Sequence, residues 1–366
     1  MWVIRLTRLH AMSSALFSPL TLRGLTFSNR IWVSPMCQYS ADEGVPSSWH
    51  DVHIGSFATG GTGLIMMEAS GVTPEGRIST KCLGLWNDKQ AARLKPIVDF
   101  VHSQGTKIGI QLAHAGRKGS CLPPWSDHPM ANKEEGGWES VAPSAISFGG
   151  KYPTPRELTV PEIKDLVANF AAAAKRVVSV GFDLVEIHAA HGYLIHQFLS
   201  PLSNTRADEY GGSFENRIRL IVDIADAVRA AIPESMPLFV RISATDWLDG
   251  GWTIDDSVRL AAILKSSGVD LIDVSSGGTS SGAPVPVGPG YQVPLAETIR
   301  KSASIATSAV GLITTPEQAE EIVASGKADA VMMGREFLRN PRWPLHAAKV
   351  LNANVEWPAQ LLRGQS

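Results

Sequence analysis

Eight short, strongly apolar runs, the helical segments between them and the polar residues where the runs end predict an α/β protein. The fold they predict is one TIM (β/α)8 barrel with its chemistry at the C-terminal mouth. The runs are 29–36, 62–69, 106–113, 182–188, 237–243, 269–275, 305–311 and 328–334. Each is apolar and rich in β-branched residues, as strands covered on both faces of a parallel sheet must be. A doubly wound open sheet would give the same alternation and is the competing arrangement.

Ahead of the runs, residues 16–27 (LFSPLTLRGLTF) read as a hairpin turning at Gly24, suited to closing the barrel's N-terminal end. Helical patterns cover 88–104, 161–180, 214–231, 255–267 and 316–325. Thr159 is a cap for the second of these, and Pro161 and Pro316 sit in first turns, where proline is tolerated. Gly105, Gly181, Gly268 and Gly326 each stand between a helix and the next strand, as left-handed C-terminal caps do. The stretch 116–158 breaks the rhythm: it carries Pro, Gly and Trp without a period, and it follows the third strand. It is expected as a capping insertion over the mouth. Residues 1–14 read as an extension, 15–351 as one barrel and 352–366 as a tail.

Composition narrows the class. The 366 residues are 44% hydrophobic and 19% charged, with a net charge of −2. A large core is affordable, and no basic block invites nucleic acid or an anionic membrane. No apolar run reaches the ~20 residues that cross a bilayer. Met1–His10 carries Arg5 and Arg8 but has too short an apolar part for a secretory core. Cys37, Cys82 and Cys121 are too few and too scattered for a disulfide framework, which favours the cytoplasm.

The strand ends collect Cys37, Tyr39, Ala69, Gln111, His114, His188, His191, Tyr193, Arg241 and Gly334-Arg335. The pair His188-x-x-His191 has three readings: metal ligands with His114, satisfied core histidines, or two N–H donors on one substrate oxygen. No carboxylate stands at a fitting spacing, so no metal is assigned. Tyr193 follows where a phenol could give a proton to carbon; its plain alternative is an aromatic plug. Arg241 ends an apolar strand and needs an anion, either a reduced flavin or a core carboxylate. Gln111 can donate and accept in one plane, matching a pyrimidine-like edge. Gly311 and Gly334-Arg335 lie where barrels bind phosphate with backbone N–H groups. Cys37 reads equally as a packed thiol or a reactive one.

Several motifs then converge on one family. They are Asn29-Arg-Ile, Ser34-Pro-Met-Cys-Gln-Tyr39, Gln111-Leu-Ala-His-Ala-Gly-Arg-Lys118, Glu186-Ile-His-Ala-Ala-His-Gly-Tyr-Leu194, Phe198-Leu-Ser-Pro-Leu-Ser-Asn204, Asp208-Glu-Tyr-Gly-Gly212, Glu215-Asn-Arg217 and Gly334-Arg335. From about Leu16 to Leu351 the chain resembles the old yellow enzymes, FMN-dependent ene-reductases. The likeness is strongest to the bacterial thermophilic-like subclass of xenobiotic reductases and NADPH dehydrogenases. It implies FMN held by Ser34, Pro35, Met36, Cys37, Ala69, Gln111, Arg241, Gly334 and Arg335, and the strand-end reading adds Gly311. Cys37, where other subclasses have threonine, would tune the flavin and joins the catalytic set.

The same resemblance implies that His188 and His191 bind the activating oxygen, that Tyr39 positions substrate and that Tyr193 donates the proton. The reaction implied takes hydride from NADPH through flavin N5 to the β-carbon of an enone, imide or nitroalkene. A homodimer or homotetramer is implied too, with Arg363 in the tail reaching a neighbouring subunit's site. The first dozen residues and the loop 120–140 have no family pattern to follow. Three rivals predict different behaviour: a flavin-free phosphate-binding isomerase or lyase would be colourless, and a non-catalytic flavin binder would not oxidise NADPH. A dienoyl thioester reductase would need iron–sulfur cysteines that the chain lacks.

Overall fold

The computed structural model describes residues 14–365. All but the last residue of the expected N-terminal extension therefore lies outside the described residues.

A two-strand hairpin comes first, β1 (Leu20–Leu22) and β2 (Leu25–Phe27), paired antiparallel with Leu22 opposite Leu25. The turn is Arg23-Gly24. The glycine answers to close approach: its N–H donates to Ser235 O at 3.1 Å, and an added Cβ would lie 2.9 Å from Ser235 Cβ.

Eight parallel strands follow: β3 (Ile31–Val33), β4 (Leu64–Gly71), β5 (Lys107–Ala113), and, after a short pair β6 (Val141–Ala142) and β7 (Arg156–Glu157), β8 (Leu184–Ala189), β9 (Leu238–Ser243), β10 (Leu271–Ser275), β11 (Ala306–Ala309) and β12 (Ala330–Met333). The order β3-β4-β5-β8-β9-β10-β11-β12 closes on itself through β12 and β3. The predicted TIM (β/α)8 barrel is the fold, and each strand lies within its predicted run to within two residues. β3 is the shortest because its run is cut at both ends. Asn29 Oδ1 accepts from Ile31 N–H at 3.1 Å, and Pro35 has no N–H to continue the ladder.

The inner face of the barrel is layered. At the N-terminal end Trp32, Leu64, Leu184, Phe239 and Leu271 pack with Leu25 and Phe27 of the hairpin. The Phe27, Trp32 and Phe239 rings lie 4.8–6.4 Å apart. This apolar floor plugs one end, so polar residues on the inner face are confined to the other.

The helices are α1 (Ser48–Ala58), α2 (Asp88–Ser103), α3 (Val160–Val180), α4 (Leu194–Leu199), α5 (Phe214–Ala231), α6 (Ile254–Ser266), α7 (Val293–Ala303), α8 (Pro316–Ala324), α9 (Arg335–Arg339) and α10 (Trp343–Val350). The five predicted helices are present. α3 starts at the predicted Thr159 cap, with Glu162 completing a capping box, and stops at Gly181, φ +97°. α1, α4, α7, α9 and α10 lie outside the predicted helical segments. In α1 the reason is visible: Trp49 and Val52 are exposed while His50, Ile54 and Phe57 are buried, which breaks the apolar stripe that reveals a helix. Among the described residues no helix is long and apolar enough to cross a membrane.

Residues 116–158 carry β6 and β7 and reach the mouth. Arg117 ties them down, donating to Ile146 O at 3.1 Å and to Thr279 O at 2.8 Å.

Candidate active site

The segment after β8 turns sharply because two loops meet back to back. His191 takes a left-handed backbone, φ +59°, which a non-glycine residue holds only when its surroundings impose it. They do so from three sides. His191 N–H donates to Ser243 Oγ at 2.9 Å, Lys118 Nζ donates to His191 O at 2.8 Å and to Gly278 O at 3.1 Å, and Gly278 leaves room behind. A Cβ on Gly278 would lie 2.6 Å from the His191 carbonyl carbon. Beneath, Gly192 N–H donates to His196 Nδ1 at 2.8 Å, and the buried pair His196–Asp246 anchors the turn at 2.9 Å.

The result is three rings facing one another. The His188 and His191 rings are 5.0 Å apart at 84°, and Tyr193 lies 5.1 Å from His188 and 6.5 Å from His191. Burial first, then the Arg241 charge, pushes both imidazoles well below their usual pKa, so both are neutral at physiological pH. Burial pushes the Tyr193 phenol well up, so it keeps its proton. Lys118, 5.1 Å over the Tyr193 ring, is brought down to about 8 by burial and by Arg117.

A neutral histidine has one N–H, and its position can be assigned. His188 Nδ1 accepts from Ala190 N–H at 3.3 Å, so its proton is on Nε2. His191 Nε2 lies 2.8 Å from Ser275 Oγ. Gln292 Nε2 donates to Val310 O, which turns its Oε1 toward Ser276 Oγ at 2.7 Å and Ser275 Oγ at 3.3 Å. Of the two acceptors open to the single Ser275 proton, His191 Nε2 is the nearer. The Ser275 proton therefore goes to His191 Nε2, which leaves the His191 proton on Nδ1. Ser275 and Gln292 set this tautomer, and no sequence signal marked either.

Beside the rings, Ser34, Met36, Arg241, Gly311, Gly334 and Arg335 of the predicted cofactor set line one cavity of about 370 Å³, with Ser275 and Gln292. Pro35, Cys37, Ala69 and Gln111 are outside that lining. Tyr39, also left-handed at φ +51°, meets Trp125 edge-on at 5.6 Å. Arg363 is exposed in a tail whose residues 356–360 share a cavity with Gly61, Gly105 and Thr106, at the strands' N-terminal ends. It is not among the residues lining its own chain's mouth.

Arg241 meets a core carboxylate, the alternative partner its sequence position allowed. Its charge has a protein partner: Nε lies 2.9 Å from Asp273 Oδ2, although the N–H is not aligned on the oxygen, and Nη1 donates to Ser34 Oγ at 3.2 Å. Glu186 is the second missed acid, fully buried, accepting from Gln111 Nε2 at 2.7 Å while its Oε2 has no partner. One guanidinium serves two carboxylates. Asp273 takes it, and Glu186, raised to about 8 by burial and by Asp273, stays protonated at neutral pH. Both acids carried a signal: each is a lone carboxylate at an inward position of an apolar strand.

The comparisons agree on what this arrangement belongs to. The profile of the NADH:flavin oxidoreductase / NADH oxidase family matches residues 15–354. The chain belongs to that family. This flavin oxidoreductase is 51% identical to an NADPH dehydrogenase of Geobacillus thermodenitrificans over 355 residues, 96% of the chain and 99% of that protein. It is 48% identical to an NADH:flavin oxidoreductase of Gibberella zeae over 367 residues, 95% of the chain and 89% of that protein. Morphinone reductase superposes with a TM-score of 0.78 at 28% identity, over 95% of this chain and 92% of that one. A 2-naphthoyl-CoA reductase in complex with 2-naphthoyl-CoA superposes at 0.85 and 26% identity, over 92% of this chain and 52% of that one. The family is that of the old yellow enzymes, and FMN is its cofactor. The residues present fit that group: three guanidiniums line the cavity, of which Arg241 is engaged by Asp273 and Arg339 by Glu336, leaving Arg335 to meet an anion, and Gly311 and Gly334 keep it open. A Cβ would lie 2.9 Å from Gln292 at the first and 3.3 Å from Met36 at the second.

Proposed function

We propose that this flavin oxidoreductase reduces the activated C=C bond of α,β-unsaturated carbonyl, imide or nitro compounds at the expense of NADPH. The observation that carries the reading is the convergence of two neutral imidazoles and one protonated phenol beside the flavin cavity. FMN, when bound, supplies the hydride chemistry. The chain's own residues do the rest. His188 Nε2–H and His191 Nδ1–H donate to the substrate oxygen as negative charge grows on it, an interaction worth roughly 2–4 kcal/mol per donor in comparable sites. Tyr193 holds a proton on its phenol oxygen and delivers it to the α-carbon. Lys118 keeps the His191 carbonyl in place, and Tyr39 with Trp125 flanks the entrance.

Ser34, Pro35, Met36, Cys37, Ala69, Gln111, Arg241, Gly311, Gly334 and Arg335 are proposed to hold the cofactor. Their surroundings suit a phosphate near Gly334-Arg335 and polar ring edges near Gln111 and Arg241. A cytoplasmic homo-oligomer in which Arg363 serves a neighbouring mouth is carried over from the family likeness. It agrees with that side chain's exposure away from its own mouth.

Stopped-flow absorbance on Tyr193→Phe separates the two stages. NADPH consumption should keep its wild-type rate, and the stage with 2-cyclohexenone should slow by about 10²-fold. Equal slowing of both stages removes Tyr193 as the proton donor.

A further inference from the structure

Two positions before His188 on the inward side of β8, Glu186 stands opposite Gln111 of β5 in the strand register, and on β10 Asp273 stands opposite Arg241 of β9. Both acids are fully buried. We infer that Glu186 is a positioning residue for the cofactor: its neutral carboxyl holds the Gln111 amide for the flavin ring, and its ionisation loosens the flavin. Gln111 and Arg241 enter as members of the cofactor set proposed above, on which this role rests.

The first observation is an oriented bond. Gln111 Nε2 donates to Glu186 Oε1 at 2.7 Å, so the oxygen end of the amide is left for a ring N–H. The second is a division of partners. Asp273 has the Arg241 guanidinium beside it at 2.9 Å and accepts from Ser308 Oγ at 2.8 Å, whereas Glu186 Oε2 is buried with no partner. A buried carboxyl oxygen with no donor facing it is where a proton belongs. The third is that Arg241 is shared between the barrel interior and the cavity, its Nη1 donating to Ser34 Oγ at 3.2 Å on the cavity lining. The charged and titratable groups around Glu186 agree with this. Burial and then Asp273 from β10 raise it, Arg241 from β9 and the Gln111 bond from β5 pull it back, and it settles at about 8. His188, the next inward residue of β8, is neutral.

When Glu186 ionises, its proton goes to solvent and two carboxylates compete for one guanidinium. One net negative charge then stands beneath an anionic cofactor. FMN therefore favours the neutral carboxyl, and bound FMN raises its pKa further. Affinity is full below about pH 8 and declines above it, by at most about tenfold per pH unit for a single proton.

The test dilutes the purified, flavin-containing protein stepwise at several pH values from about 7 to about 9.5 and reads released FMN by its fluorescence. No alkene or NADPH is present, so a failure of the proposed reduction leaves the result readable. The wild type should hold FMN evenly near neutral pH and lose affinity above about pH 8. Glu186→Gln keeps the acceptor and cannot ionise; it should match the wild type at neutral pH and stay flat above it. Glu186→Leu leaves the Gln111 N–H buried without a partner and should weaken FMN about tenfold at neutral pH, as should Gln111→Ala. Far-ultraviolet circular dichroism reports the fold of each variant, and Glu186→Gln decides alone if Glu186→Leu does not fold. A wild-type pH slope in Glu186→Gln overturns the inference, as does a Glu186→Gln as weak at neutral pH as Glu186→Leu. Wild-type affinity in Glu186→Leu, with Gln111→Ala weakened, overturns the positioning role and leaves the cofactor set standing. Wild-type affinity in Gln111→Ala removes Gln111 from that set and overturns both.

Discussion

A serine hydroxyl has one proton to give, and at Ser275 the choice of recipient decides what His191 offers a substrate. The 2.8 Å contact to His191 Nε2 wins over the 3.3 Å contact to Gln292 because it is the shorter. Ser275→Ala leaves Nε2 without its donor, and the imidazole can then carry its proton on the wrong nitrogen. The expected cost is about 1 kcal/mol, roughly fivefold in affinity for a phenol that binds through its oxygen, read by titrating the flavin absorbance. Flavin content should not change. A side chain this small at the end of β10 gave no cue in the sequence, since its role depends on Gln292 and His191, which come from other loops. The neighbouring acids were more legible. Glu186 and Asp273 interrupt apolar strands at inward positions, and a carboxylate there must find a partner or hold its proton. The converging rings were legible because all three residues lie within six positions of one strand end.

Among the elements, the turn after β8 and the loop after β10 are one device. Gly192 and Gly278 face each other so closely that a Cβ on the first would lie 2.0 Å from Gly278 O. Gly278→Ala must push the His191 backbone away, and displacements of about 1 Å at a reacting group can cost about 10²-fold in turnover. Steady-state reduction of 2-cyclohexenone should fall by about that factor. Gly250→Ala is the control: its φ is +71°, but its Cβ would meet nothing within 4 Å, so it carries the backbone penalty alone. Similar losses in both variants would mean that conformation, not contact, holds His191. The strands were read closely from sequence because their signal is local, a short apolar run. α1 was hidden because its outward residues are as apolar as its inward ones, and α4 and α9, at six and five residues, are too short to show a period.

Over the whole molecule, stability and chemistry occupy opposite ends of one barrel. The floor of Phe27, Trp32 and Phe239 is contributed partly by the hairpin, outside the (β/α)8 repeat. Phe27→Ala should cost about 3–5 kcal/mol, seen as a lower urea midpoint at unchanged slope. The variant should still retain flavin, because the mouth is built on the far ends of the strands. A lost flavin with an unmoved midpoint would contradict that separation. The architecture was legible as a whole because the hairpin and the eight runs each carry their own pattern. The contacts between them were not: Cys37 and Cys82 meet across forty-five positions, and nothing in their spacing announces it. The sealed floor has a consequence for traffic. A barrel stopped at one end is a well with a single door, so whatever enters last must leave first. In the reduction proposed above, donor and acceptor share that door, and each must leave before the next is admitted.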